Sequence, residues 1–578
     1  MEKYKISALI EEMSGSSYHR VKLPSEWLNG SKIKVGEEEK EIEVNFISVE
    51  RSKRTLKEEY FKACDLVYFN WAWNNAISEV VLWKKKYNVK IVMDIDDFYI
   101  YSPNNPASEN PLKADFNKKQ VLKYAVEADS VICSTLLLGE ILLKYNKNIA
   151  ISNNFLPVGE GQFRIYQNKN EGKLKICIFG SISHFGDWLL LKPVINKLCN
   201  NKEIVKNCEF YLIGYTDNKY WNEIVKMFQK KKHVNTTVVA GRNVDEYMYL
   251  LEGMDICLIP LEDVMFNKTK SALKLAELSI KGVIPIGSEL YSSKELNSFV
   301  VCKTPLDYEK TILKLIDRKV FKETLDKVVE NNLRDNKIEE RKQDLLGIFE
   351  ATANLEGEEF IDNIKLYSLK YKEDQIVEFT PVLNQNKTTG WRFEYNSFIN
   401  KLDEIKEGKE NYYGFLSWKF PIKTGITGKI LKSVLLQYQY NDFDFINLAP
   451  MRWKTTEDYL KFSYQQHPNL EKLLSKILDN LNVQDRSLPE IYTYSNFFIM
   501  KKENWIDYLE NWVIPSLNYM ENEIFDEVNI DANYKSGISS EELFENTGCK
   551  FYNMVTFLLE RLIIFYIQNK NLKAISLI

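Results

Sequence analysis

An α/β chain built on parallel sheets, in two tandem units followed by a third, is what the sequence predicts. Three observations predict it. Short β-branched runs alternate with amphipathic helical stretches up to about residue 350, and strands separated by helices imply parallel βαβ units. The alternation restarts midway, at KLKICIFGS. Finally, 578 residues are too many for one core, since domains commonly run to ~100–200 residues.

Each element has its own signature. In residues 1–165, KYKISALI is a strand that enters the loop Met13-Ser14-Gly15-Ser16-Ser17, followed by a helix carrying Tyr18, Val21, Leu23 and Trp27. DLVYFNW, VKIVMDIDD, SVICS and NIAISNN are further strands, with helices around residues 77–85, at QVLKYAVEA and at LLGEILLKY. Residues 166–350 repeat the scheme: strands KLKICIFGS, CEFYLIGY, TTVVAG, DICLIPL and VIPIGS, helices LLLKPVINKLC, DEYMYLLEGM and SALKLAELSIKG, and a charged helical run from residue 307 to about 350. Two such Rossmann-like units place a cleft between the carboxyl ends of their sheets. A polar linker over 351–362 leads to a third, aromatic-rich unit, 363–578, that opens with the strand IKLYSLKY.

Composition narrows the function. Hydrophobic residues make up 45% and charged residues 27%, which suits packed domains and not disorder. The net charge of -4 argues against a nucleic-acid binder. The apolar stretch over residues 6–10 is too short for a signal peptide. VTFLLERLIIFYI is split by Glu560 and Arg561, against a spanning helix. A cytoplasmic protein, at most peripheral on the inner face of a membrane, is the expectation. The eight cysteines form no C-x-x-C pair and read as small buried hydrophobes. His19, His184, His233 and His467 are too scattered to suggest a local metal site.

The most informative segment is Phe266-Asn267-Lys268-Thr269-Lys270-Ser271-Ala272-Leu273-Lys274-Leu275-Ala276-Glu277, with Gly282 and VIPIGS behind it. Lys270, Lys274, Glu277 and Lys281 share one helical face. Lys270 and Ser271 are expected at the helix start, where free N–H groups suit a diphosphate, and Glu277 at a ribose. A solvated face of Lys–Glu pairs is the alternative reading.

On this segment, together with Tyr18-His19-Arg20, Asp94-Ile95-Asp96-Asp97, Cys133-Ser134-Thr135, Ser152-Asn153-Asn154, Gly180-Ser181-Ile182-Ser183-His184 and DICLIPL, residues 1 to about 350 resemble the GT-B glycosyltransferases. The likeness is to the retaining family that includes many polysaccharide-assembly transferases. It implies a nucleotide-sugar donor bound by Gly180, Ser181, His184, Lys270, Ser271, Lys274 and Glu277, and transfer with retention to a glycan or lipid-linked glycan. Such members carry two glutamates eight residues apart; Glu277 matches the second, and Thr269 stands at the first. His19 and Arg20 are candidates to touch donor phosphate or acceptor, with a plain surface helix start as the alternative. Tyr18, Asp94, Asp96 and Asp97 are placed on the acceptor side, the aspartates orienting the acceptor or capping locally. Gly180-Ser181 is by itself also an ordinary strand-to-helix turn.

Residues 363–578 resemble a bacterial GT-A-like family of capsule and O-antigen loci, through IKLYSLKY, Tyr412-Tyr413-Gly414-Phe415-Leu416, NFFIMKKENWIDYLENW and Phe557-Leu558-Leu559-Glu560-Arg561-Leu562. Ser417-Trp418-Lys419-Phe420 stands where that family often has His-Tyr-Arg. Lys419, Asn496, Glu560 and Arg561 are the candidates here; Glu560-Arg561 also reads as a structural ion pair. Asp442 and Asp444 form an Asp-x-Asp pair whose strand alternation would put both on one face, around Mn2+ or Mg2+. A chelator is then expected to silence this unit and spare the first two. A bifunctional transferase is one expectation, and a single active transferase with a C-terminal glycan-binding module the other.

Overall fold

The structure, a computed structural model, describes residues 2–12, 14–50, 52–154, 156–168, 171–229, 235–288, 299–334, 338–357, 360–373, 375–384, 390–467, 469–532, 534 and 539–577. Met13 and His233 lie outside the described residues. The chain divides into two compact units, Met1–Asn75 with Tyr87–Leu355, and Ala76–Lys86 with Glu356–Ile578.

The first unit holds two sheets. One contains β1 (Lys3–Glu11), β2 (Lys32–Val35), β3 (Glu38–Val49), β4 (Leu66–Asn70), β5 (Lys90–Ile95), β6 (Ser130–Cys133) and β7 (Ile149–Ile151), in the order β2-β3-β1-β4-β5-β6-β7. Only the β2–β3 pairing is antiparallel; the rest are parallel. β4 and β6 are buried along their whole length, and β5 from Ile91 onward, as apolar runs covered on both faces must be. The β2–β3 hairpin is absent from the sequence reading. Its strands carry glutamates and lysines on an exposed face, so the apolar signal that betrays β4 and β5 is missing.

The other sheet contains β8 (Leu174–Phe179), β9 (Cys208–Tyr215), β10 (Thr236–Ala240), β11 (Ile256–Ile259), β12 (Ile284–Gly287) and β13 (Val300–Val301), all parallel. Its order, β10-β9-β8-β11-β12-β13, is the doubly wound arrangement whose strand direction of travel reverses between β8 and β11. The helix Leu191–Asn200 covers it with Leu191, Val194, Ile195, Leu198 and Cys199, one face of a 3.6-residue period. DEYMYLLEGM, expected as an α-helix, is a single 3-10 stretch, Tyr247–Leu251. The charged run is three helices, Pro305–Leu315, Arg318–Arg334 and Ile338–Ala353. The last does not close the second sheet. It returns to the first, packing Leu345 and Phe349 among Tyr68, Val92 and Ile132, and Thr352 Oγ1 bonds Ser130 Oγ at 2.8 Å. The helix therefore runs past residue 350 into the segment expected as linker.

The second unit contains β14 (Ile364–Lys370), β15 (Thr380–Leu383), β16 (Tyr412–Ser417), β17 (Phe445–Asn447), β18 (Phe498–Lys501) and β19 (Ala574–Ser576), in the order β15-β14-β16-β18-β17-β19. β18 runs antiparallel to both its neighbours, and the other pairings are parallel. The helix Met554–Asn569 is the apolar C-terminal segment; it is buried on nearly every side by this unit's own core. Among the described residues no helix is long and apolar enough to cross a membrane.

One glycine ties the second sheet to the loop that follows β8. Gly214 sits at φ +102°, and a Cβ there would collide with the Gly180 carbonyl oxygen. Gly214→Ala is expected to destabilise the protein by at least ~1–3 kcal/mol, a cost measurable as a lowered urea midpoint.

Candidate functional site

At the carboxyl end of β8 the chain turns at Gly180, φ +145°. A Cβ on Gly180 would lie 2.9 Å from His184 Cδ2 and 3.1 Å from Lys274 Nζ, so these two side chains rest directly on the bare backbone. Lys274 Nζ donates to Phe179 O at 2.9 Å and meets His184 Nε2 at 3.1 Å. His184 Nδ1 meets Asp187 Oδ2 at 2.9 Å. One tautomer satisfies both contacts: Nδ1–H donates to the carboxylate, and the Nε2 lone pair accepts from the ammonium. Burial, with the charges of Lys270 and Lys274, pushes the imidazole pKa down to about 3, so it is neutral.

Asp187 is the hub of this arrangement. It accepts from His184, from Glu262 N (3.0 Å) and from Asn267 Nδ2 (2.8 Å), with Lys270 Nζ at 3.9 Å. Burial works against its charge, but these partners outweigh it and hold the pKa below the ordinary aspartate value.

The Lys/Glu segment is not one helix. Met265–Lys268 is a short turn of helix, and the next helix, Leu273–Ile280, starts after an uncapped Ala272. Lys270 and Ser271 therefore precede the helix, which corrects the expectation that they sit at its N-terminus. The break follows from Thr269, fully buried, whose carbonyl accepts from Thr135 Oγ1 at 2.9 Å. Lys270 Nζ stands over the Phe266 ring, 5.0 Å from its centre, and Ser271 Oγ accepts from Asn154 Nδ2 at 2.6 Å. The solvated-face alternative also fails. Glu277 is 5% exposed and Lys281 0%, the latter paired with Glu252 at 2.7 Å as a structural end to the helix. The Glu277 carboxylate takes the Tyr247 hydroxyl proton's hydrogen bond and lies 3.7 Å from His19 Nε2. Burial pushes its pKa up to about 7, against the pull of Tyr247 and Lys274.

The first-sheet residues divide by role. Arg20, expected to meet donor phosphate or acceptor, is 4% exposed and fully used inside the protein. Its guanidinium forks onto Asp94 (Nε–Oδ1 2.6 Å, Nη2–Oδ2 2.9 Å) and reaches Ser152 O and Asn154 Oδ1 at 2.7 and 3.0 Å. Asp94 is thereby a strut, not an acceptor contact. Tyr18 is buried beside Phe163, ring centres 6.4 Å apart. His19 is buried, its Nε2 2.9 Å from Tyr247 Oη, with burial pushing its pKa down to about 3. Asp96 and Asp97 are half-buried beyond the end of β5. Trp71, at φ +62°, donates from Nε1 to Asp96 at 2.9 Å; such backbone strain in a bulky residue commonly marks functional ground. Asp97 is pushed up to about 7 by burial and the Asp96 charge, and Lys270 opposes the shift. The Lys270 charge therefore reaches Asp97.

In the second unit a cavity of about 700 Å³ contains Lys419, Glu560 and Arg561 in its lining. Arg561 Nη1 pairs with Glu560 at 2.8 Å and both its other nitrogens reach Ser463, so the structural reading of this pair holds at the cavity wall. Asn496 supports the wall from behind. Its Nδ2 donates to Glu394 Oε2 at 3.1 Å, and its Oδ1 accepts from Tyr395 at 2.9 Å. Asp442 and Asp444 depart from expectation. Asp442 ends a 3-10 turn, Tyr440–Asp442, and β17 begins only at Phe445, so no strand aligns the two. Asp444 is paired with Lys501 at 2.7 Å and accepts from Lys573 N at 2.9 Å. Neither lines the cavity, and among the described residues no group of three His, Cys, Asp or Glu is placed to hold a metal ion.

No protein-family profile matches this chain, and neither does any curated protein sequence. Among solved structures it is similar to a TarM variant from S. aureus with fondaparinux, α-GlcNAc-glycerol and UDP, at 14% identity over 49% of this chain and 55% of that one, TM-score 0.36. It is also similar to an E. coli trehalose-6-phosphate protein bound with UDP-2-fluoro glucose (9% identity, 61% and 99% covered, TM-score 0.42) and to Anabaena HepE with UDP-glucose (11%, 54% and 86%, 0.39). The match spans about half the length of the TarM chains.

Two members of the site escape sequence reasoning. Asp187 carries a signal, the His184-x-x-Asp187 spacing just after a Gly-Ser turn. Tyr247 carries none, because its partners His19 and Glu277 come from distant segments.

Two outcomes follow. Arg20→Ala leaves the Asp94 carboxylate buried with no cation beside it, only the Tyr68 hydroxyl at 3.3 Å, and should cost roughly 3–5 kcal/mol in chemical unfolding. His184→Gln keeps hydrogen bonding but cannot titrate. Because folding depresses the His184 pKa from 6.5 to about 3, its contribution is whole above pH 6.5 and drains as pH falls toward 3. Between pH 6.5 and 5 the wild type should therefore lose up to about 1.4 kcal/mol per pH unit more than the variant. Glu277 and Asp97, with raised values, act in the opposite sense in both proteins and cancel in the comparison.

Proposed function

We propose that residues 1–355 form a nucleotide-sugar-dependent glycosyltransferase. The observation that carries this reading is Lys274 resting with His184 on a bare glycine turn, with Lys270 beside the same Asp187 that holds His184. Lys274 meets a neutral His184 on Gly180, and Lys270 stands 3.9 Å from Asp187, at the carboxyl end of β8 where the doubly wound sheet reverses, the place where such sheets bind ligands. In this reading the donor diphosphate lies on Lys270, Lys274 and the Gly180–Ser181 backbone, and Glu277 takes the ribose. The leaving diphosphate gains negative charge as the glycosidic bond breaks, and the lysines offset it in a site that excludes water. His184, held neutral between the lysines and Asp187, aims Lys274 without adding a third cation. Asp97, which feels the Lys270 charge, is assigned to the acceptor hydroxyl.

The acceptor is a glycan or lipid-linked glycan of a surface polysaccharide, met in the cytoplasm or at the inner face of the membrane, and transfer retains anomeric configuration. These assignments rest on the resemblance of residues 1–350 and 363–578 to polysaccharide-assembly transferases. For residues 363–578 the favoured reading is a second transferase centre in its cavity, GT-A-like in fold. A glycan-binding module is the other reading, favoured by the aromatic wall of Trp418, Trp453, Tyr494 and Phe557, since such rings stack on sugars.

The test is a panel of nucleotide sugars offered to wild type and Lys270→Ala, with release of nucleoside diphosphate and transfer measured by chromatography. The variant should fold normally and lose about 10²–10³ in transfer rate, the usual cost of one such electrostatic contact. Undiminished turnover with every active donor would remove the assignment.

A further inference from the structure

The cavity of the second unit lies where the order of its sheet reverses. β14 leads to β15 on one side, the next strand, β16, joins on the other, and the cavity is lined by residues at or just beyond the carboxyl ends of β14 and β16: Tyr371, Ser417, Trp418 and Lys419. Open sheets receive ligands at this position.

Its charges are unbalanced in one direction. Arg561 is cancelled by Glu560. Lys419, Lys423 and Arg452 remain, and among the described residues none of them meets a carboxylate oxygen within 4 Å. Aromatic rings lie against them: Lys419 over Trp418 at 5.1 Å, Lys423 over Phe497 at 5.4 Å, Arg452 over Tyr494 at 5.8 Å; Lys423 also donates to Ser495 Oγ at 3.5 Å, and its charge reaches Glu394. Against these three stands one further carboxylate, Glu394, and both of its oxygens are occupied, by the Tyr371 hydroxyl at 3.0 Å and Asn496 Nδ2 at 3.1 Å. The carboxylates at the wall are therefore tied to their own donors.

Two more observations point to a ligand. The hydroxyls of Tyr494 and Thr556 are buried at the wall and have no hydrogen-bond partner among the described residues; such groups are rare in proteins unless something else satisfies them. Phe393, Ser495 and Asn496 sit at φ +45°, +56° and +54°. Left-handed backbone in residues other than glycine is costly and gathers around binding sites.

We infer that this cavity binds an organic diphosphate directly on Lys419, Lys423 and Arg452, without a bridging divalent cation, while the Trp418, Trp453 and Tyr494 rings take the group it carries. The charge argument is that of the first unit's lysines, reached with different residues. A diphosphate brings several negative charges. Carboxylates could hold it only through a metal ion, whereas three cations that outnumber the one remaining carboxylate, and that no carboxylate oxygen meets within 4 Å among the described residues, meet it themselves. The expectation that a chelator silences this unit is thus reversed. The inference rests on the reading of residues 363–578 as a second transferase centre. The shared chemistry is the diphosphate ester; its source is either a nucleoside diphosphate or a prenyl diphosphate.

Calorimetric titration of the full-length chain in EDTA tests it, with inorganic pyrophosphate, UDP and farnesyl diphosphate as probes. A Lys270→Ala/Lys274→Ala background silences the first cleft. Saturable binding of one diphosphate per chain in that background is expected, weakened about tenfold or more by Lys423→Ala and by Arg452→Ala, as for loss of a charge-assisted hydrogen bond. Both side chains are exposed, so circular dichroism and the melting midpoint should stay unchanged. UDP binding more tightly than pyrophosphate identifies the nucleoside source, and farnesyl diphosphate binding more tightly identifies the lipid source. No binding of any of the three, binding that appears only when Mg2+ or Mn2+ replaces EDTA, or binding indifferent to the two cavity substitutions would each overturn the inference. If instead the first-cleft substitutions leave the wild-type stoichiometry for UDP unchanged, the donor assignment of the first unit fails and the cavity assignment stands.

Discussion

The buried fork between Arg20 and Asp94 holds the first unit's cleft in register. A guanidinium presents a rigid planar set of donors, and here each end of it is spoken for. One edge grips the carboxylate at the end of β5; Nη1 turns to the chain leaving β7. From there Asn154 passes the constraint to the second sheet, accepting from Arg20 and donating to Ser271, the residue beside Lys270. The position of the Lys270 ammonium is thus set partly by an ion pair on the other sheet. The desolvation of such a pair offsets much of its attraction, so what it contributes is mostly geometry.

Charge placement in the two units follows one economy. In the first, two ammonium groups stand close together, which is unfavourable unless something neutral separates them and an anion is near. Asp187 supplies the anion, beside Lys270 and bonded to the His184 that meets Lys274, and burial keeps the imidazole from becoming a third positive charge. In the second unit the separation comes from aromatic rings, whose faces attract cations without cancelling their charge. In the second unit this leaves net positive charge at the cavity wall, whereas in the first Asp187 offsets part of it.

What could be read in the sequence was what local chemistry decides. β4 and β5 announce themselves because a parallel strand covered on both faces must be apolar throughout, and Gly180 because a strand leading into a tight turn needs it. The β2–β3 hairpin could not be read, since an exposed edge strand of glutamates and lysines resembles a loop. The residues of the candidate site were largely visible as types in order, but their roles were not. Arg20 and Lys281 look alike in the sequence to Lys270, and only the fold shows that the first two are spent on Asp94 and Glu252. Asp442 and Asp444 illustrate the same limit from the other side. A two-residue spacing implies a shared face only if a strand runs through it, and the local turn that prevents this has no marker as plain as glycine or proline. Lys423, in the short helix Phe420–Thr424, and Arg452, in a loop, gave no signal, because they converge only in the folded unit.

The return of the helix Ile338–Ala353 to the first sheet has a consequence for biogenesis. As the chain leaves the ribosome, β1 through β7 emerge first, yet the face carrying Tyr68 and Val92 lacks its covering until Leu345 and Phe349 are made. The second sheet, whose core is drawn mainly from contiguous sequence, meets no such delay. Contacts between distant segments form late, and surface left uncovered while they wait is prone to aggregate. The later-synthesised half should therefore mature first during translation. The earlier half would wait beside it as a partly covered sheet, in need of chaperone protection, for the interval it takes to translate everything between them.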